Sequence, residues 1–109
     1  MIKAVLFKNS VGFTGFELSG HSGYAEQGSD IVCAATSACA QFAIAGIVET
    51  EKISCGYEIT DGRIFLTLPA SLSEEERKVT DGYIRTLECM LSELSRQFND
   101  YLNFTVMEV

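Results

Sequence analysis

The stretch CGYEITDGRIFLTLP, residues 55–69, decides the fold. Two alternating runs flank Asp61-Gly62, and Asp-Gly suits the positive φ that both central residues of a type I′ turn require, so the segment is predicted as a β-hairpin. It sits mid-chain, with a helical pattern on either side. Upstream, Ile31 to about Val48 reads as one helix, and Ser29 or Asp30 is positioned to cap the unpaired N–H groups of its first turn. Its 18 apolar-rich residues are interrupted by Thr36, Ser37 and Gln41 and consist largely of alanine, which favours a buried helix over a bilayer span. Cys33, Ser37 and Gln41 form one stripe at i, i+4 and i+8, expected to face a cleft or loop, with Val32, Ala35, Phe42 and Ile47 expected to face a sheet.

Before that helix, GHSGYAEQGSD (residues 20–30) has three glycines, Gly20, Gly23 and Gly28, and no apolar period, so a mobile loop is expected. Two antiparallel strands precede it. In the first, Ile2, Ala4 and Leu6 alternate with residues that are also mostly apolar, as in a strand inside a sheet; the second runs from Phe13 to Ser19 with Phe16 and Leu18 opposite Glu17. Downstream of the hairpin, Ser73 and Glu76 form a capping box, and Val79, Tyr83, Leu87, Met90, Leu91, Leu94, Phe98 and Tyr101 recur at helical spacing. A helix from about Glu74 to Tyr101 is expected, then a last strand, Phe104 to Val109. The order ββαββαβ predicts an α/β chain of the α+β type: a two-layer sandwich, its mixed or antiparallel sheet of four or five strands covered on one face by two helices.

The chain has 109 residues, 47% of them hydrophobic, with one proline, which suits a single domain spanning 1–109 with a real core. Eight basic against fifteen acidic residues give a net charge of -7, disfavouring nucleic acid and anionic membrane surfaces as partners. A basic protein partner suits it better. The N-terminus reads as a strand and not a signal peptide, so Cys33, Cys39, Cys55 and Cys89 are expected as free thiols in a reducing cytoplasm. No CxxC pair occurs and His21 is the one histidine, so no metal site is expected.

Any acid–base chemistry near neutrality must pass through His21. By itself, a histidine in a glycine-rich loop is as consistent with a solvated polar residue. Cys33, however, falls at the third position of its helix, where the terminal partial charge favours a thiolate, and the intervening loop could bring the imidazole to it. Asp30 could cap the helix, orient His21, or do both. Ser37, one turn below Cys33, could bond the sulfur or a substrate, or else its own helix carbonyls. The other three cysteines read as small buried hydrophobes.

The run Gly20-His21-Ser22-Gly23-Tyr24-Ala25-Glu26-Gln27-Gly28-Ser29-Asp30-Ile31-Val32-Cys33-Ala34-Ala35, followed by Ser37-Ala38, resembles the signature of the ribosomal-processing cysteine protease family, Prp. The resemblance extends over essentially the whole chain, departing where Cys39 stands in place of a common leucine and Ser22 in place of a frequent alanine. It implies a cysteine endopeptidase that removes the short N-terminal extension of the twenty-seventh large-subunit ribosomal protein, cutting after an aromatic residue. Cys33 would be the nucleophile and His21 the general base and acid, with no cofactor. The resemblance further implies a homodimer and a glycine-rich loop that reorganises over substrate. On this reading the Cys33 backbone N–H is the expected oxyanion donor, and Tyr24 is a residue that could receive the aromatic side chain. Two rivals are a non-catalytic ribosome-associated peptide-binding module, and a thiol redox protein, which the six-residue Cys33–Cys39 spacing disfavours.

Overall fold

The computed structural model describes residues 1–109. Strands β1 (Ile2–Lys8) and β2 (Phe13–Ser19) lead through the glycine-rich loop into helix α1 (Ile31–Ile44), which widens into a π-helical turn over Ala45–Thr50. Strands β3 (Gly56–Thr60) and β4 (Arg63–Thr67), helix α2 (Glu74–Gln97) and strand β5 (Leu102–Glu108) complete the order ββαββαβ.

The five strands form one mixed sheet in the order β3-β4-β2-β1-β5; β1 runs antiparallel to β2 and parallel to β5. Strand register explains the core. Ala4 pairs with Leu18 and Leu18 with Ile64, while Leu6 pairs with Phe16 and Phe16 with Leu66. Because side chains alternate along each strand, these two rows lie on one face of the sheet. All six are buried, and both helices pack over them through Val32, Ala40, Ala43 and Ile44 of α1 and Ile84, Leu87, Leu91 and Leu94 of α2. Ser73 and Glu76 close α2 as a reciprocal capping box. By length and composition, Ile31–Thr50 is apolar enough to cross a membrane, but its core-facing residues are spent on the sheet and on α2.

Three expectations need correction. Phe42 is 71% exposed and does not face the sheet; Thr36 points inward instead, its hydroxyl bonded to the Val32 carbonyl at 2.9 Å. An almost uniformly apolar helix carries little hydrophobic contrast to mark its buried face, and a threonine that satisfies its own hydroxyl can face the core. Second, only Gly62 of the hairpin turn has positive φ, at 84°, so the turn follows the type II pattern, not I′. The turn is docked on its neighbour and not free, with the Gly62 carbonyl accepting from the Gly20 N–H at 2.9 Å. Third, α2 ends at Gln97, and β5 begins at Leu102, two residues earlier than the alternation in its sequence indicates.

Candidate active site

The glycine-rich loop and the start of α1 are fastened together by one carboxylate. Asp30 is the N-cap residue; its Oδ1 accepts from the backbone N–H groups of Val32 at 3.0 Å and Cys33 at 2.9 Å. Its Oδ2 faces back into the loop and accepts from the Ser22 hydroxyl and from the N–H groups of Tyr24 at 3.2 Å and Ala25 at 3.3 Å. Asp30 and Ser22 are both buried. Burial alone would push the Asp30 carboxyl up, but the Ser22 hydroxyl and the N–H groups of Cys33, Ala25 and Val32 outweigh it and lower the pKa from 3.8 to about 2. Near neutrality the cap is therefore a fixed negative charge.

This arrangement defines what surrounds the Cys33 thiol. The sulfur accepts from the Ser22 N–H at 3.4 Å, so the loop residue after His21 lies directly against it. The Cys33 N–H is committed to Asp30, which removes it as the oxyanion donor expected from the sequence: a cap strong enough to hold the loop also consumes the free N–H. Cys33 is half-buried and opens onto a cavity of about 480 Å³ whose lining includes His21, Gly23, Gly28, Ser37 and Asp61. His21 lines the same cavity and is exposed, and no hydrogen bond joins it to the sulfur.

Asp30 does not orient His21; all its bonds go to Ser22, the loop backbone and the helix. The ring's nearest carboxylate is Asp61 in the β3–β4 turn, with Nδ1 4.0 Å from Oδ1. Ser37 lines the cavity and accepts a bond from Gln41 Nε2 at 3.0 Å. Tyr24 does not line it; its ring packs edge-on against Phe98 and Tyr101 beyond the end of α2, with centroids 5.9 and 5.1 Å away, and stays 43% exposed. Gly20, Gly23 and Gly28 all have positive φ, and at Gly20 a Cβ would also lie 2.8 Å from the Met1 carbonyl oxygen. Burial pushes the Cys39 and Cys55 thiols up, in keeping with packing roles, but Cys89 is not the buried hydrophobe expected: it lies on the exposed side of α2. No three His, Cys, Asp or Glu side chains converge where a metal ion could be held.

Reasoning from sequence missed Asp61, Gly62 and the role of Ser22. Asp61-Gly62 carried only a turn signal, and its approach to His21 depends on β4 pairing with β2, which sets Ser19 opposite Arg63. No local pattern encodes that pairing.

A half-buried thiol at a helix start, opening onto a cavity shared with an imidazole, is the equipment of a cysteine protease. A family profile described as cysteine protease Prp matches residues 1–103, and the chain belongs to that family. The ribosomal processing cysteine protease Prp of Bacillus subtilis (strain 168) is 30% identical over 112 residues, covering 96% of each chain. The fold is shared with the Staphylococcus aureus ribosomal processing protease Prp, solved with a covalently linked product peptide. That match has a TM-score of 0.82 at 20% identity, over 98% of this chain and 100% of the other. A Streptococcus mutans protein matches with a TM-score of 0.79 at 22% identity, over 100% and 96% respectively.

Proposed function

We propose that this cysteine protease removes the short N-terminal extension of the twenty-seventh large-subunit ribosomal protein, with Cys33 as nucleophile and His21 as general base and acid. The observation that carries this reading is the shared cavity, lined by both the Cys33 thiol and the only imidazole of the chain. The ribosomal processing named for the Bacillus subtilis relative supports the substrate class.

In the proposed reaction, the Cys33 thiol gives its proton to His21 and the sulfur attacks the scissile carbonyl. Collapse of the tetrahedral adduct expels the amine, which takes the proton from His21, and leaves a thioester. His21 then takes a proton from water, which attacks the thioester; the carboxyl product leaves and the proton returns to sulfur. The Ser22 N–H, already directed at the sulfur, holds the loop residue after His21 beside the nucleophile. The net charge of -7 suits a basic ribosomal segment. The same reading places the protein in a reducing cytoplasm as a homodimer acting on protein, not on nucleic acid or membrane.

The test is mass spectrometry of a peptide spanning the extension and its junction, incubated with wild type, Cys33→Ala and His21→Ala. One cut after an aromatic residue, lost in both variants, is the expected result. Tight binding without a cut by any of the three would replace the protease reading with that of a peptide-binding module.

A further inference from the structure

The Asp61-Gly62 turn does more than join two strands. It closes one side of the Cys33 cavity and packs against the imidazole: a Cβ on Gly62 would lie only 3.2 Å from His21 Nε2. The Gly62 carbonyl accepts from the Gly20 N–H at 2.9 Å, so the turn is tied to the residue that precedes His21. Asp61 is held as well, its Oδ2 accepting from Gln27 Nε2, another residue of the cavity lining, at 2.9 Å. Its Oδ1 carries no such bond and stands 4.0 Å from His21 Nδ1.

Other carboxylates near the cavity are occupied. Asp30 accepts five bonds, and Glu17 and Glu58 lie 3.1 and 3.9 Å from Arg63. We infer that Asp61 is the positioning residue for His21: its carboxylate accepts a hydrogen bond from Nδ1–H, which keeps that proton on Nδ1 and leaves Nε2 as the nitrogen that exchanges protons with the Cys33 sulfur. Closing the gap from 4.0 Å to a hydrogen bond requires a displacement of about 1 Å, within reach of side-chain rotation at this exposed turn. Such a bond fixes the neutral ring as its Nδ1–H tautomer, the form with an acceptor nitrogen free for the thiol. Gln27 holds the other carboxylate oxygen and so sets the direction from which Oδ1 approaches. The inference rests on the proposed roles of Cys33 and His21.

The variants are Asp61→Asn and Asp61→Ala. Both leave Gly62, the only turn residue that needs positive φ, in place, so the hairpin should persist. Two readouts are made on each variant and wild type: kcat and KM on the extension peptide, and the His21 ring tautomer from ¹⁵N NMR. The expected result is a kcat about fivefold lower with KM within about twofold, the scale of an exposed charge pair. Alongside it, the wild-type Nδ1–H signature should give way to a mixture. An unchanged tautomer in both variants overturns the inference, as does a raised KM at constant kcat, which would make Asp61 a substrate contact. If wild type leaves the peptide intact, the proposed substrate fails, while the tautomer comparison still decides the role of Asp61.

Discussion

Helix α1 carries Cys33 at its start, and the π-helical turn that continues it passes close against α2 at Gly46, which makes Gly46→Ala an informative perturbation. A Cβ at Gly46 would lie 2.1 Å from Tyr83 Cε1, 2.5 Å from Cζ and 2.7 Å from Cδ1 of α2. Carbon contacts settle near 3.5–4.0 Å, so the ring must retreat by more than about 1 Å. Overpacking of this kind costs about 1–3 kcal/mol, and replacing a helical glycine by alanine returns up to about 1 kcal/mol. Tyr83 is only half-buried and can give way outward, which keeps the net loss near 1–2 kcal/mol, or roughly 5–10 °C in Tm for a domain of this size. In a Tyr83→Ala background the obstructing atoms are gone, and Gly46→Ala should become neutral or stabilising. The double-mutant cycle, read by thermal and urea unfolding, should therefore show a coupling of about 2 kcal/mol. Peptide cleavage by folded Gly46→Ala should persist, because thirteen residues of helix, about 20 Å, separate position 46 from Cys33. Additive stability effects would refute the claim that Gly46 and Tyr83 are in close contact where the turn after α1 meets α2.

Two further outcomes follow from the titrating groups. The Asp30 carboxyl is held at about 2, so its contribution to stability is fully present above its ordinary 3.8 and is lost as pH falls through 2. Asp30→Asn, which keeps a good N-cap side chain, should reduce the loss of stability between pH 4 and 2 seen by circular dichroism in wild type; an unaltered slope would contradict the assignment. Cys39 and Cys55, whose thiols burial pushes up, should react with iodoacetamide at pH 8 more slowly than exposed Cys89, as read by peptide mapping, and equal labelling would show that both are accessible.

What was legible in the sequence was whatever local chemistry writes down. The Ser73–Glu76 capping box, the Asp30 cap and the Asp61-Gly62 reversal each rest on a side chain bonding within a few residues or on a glycine's backbone freedom, and each sits where the residues indicated. The inward face of α1 is less legible, because an alanine-rich helix offers little contrast, and Phe42, expected to face the sheet, lies on the surface. Site residues brought together across the sheet were not legible. Asp61 reaches the His21 neighbourhood only because β4 lies beside β2, and the second oxygen of Asp30 collects its loop donors only once residues 22–25 have folded back on it. The same folding consumes the Cys33 N–H, an outcome that the helix-start position alone did not foretell.

The pairing of Cys33 with His21 is tested most directly by the rate at which iodoacetamide alkylates Cys33 at pH 7, measured by mass spectrometry in wild type and in His21→Ala, with exposed Cys89 as internal reference. Removal of the imidazole should slow Cys33 several-fold and leave Cys89 unchanged. Equal Cys33 rates in the two proteins would show that His21 does not serve the thiol, and the proposed mechanism would fall with it.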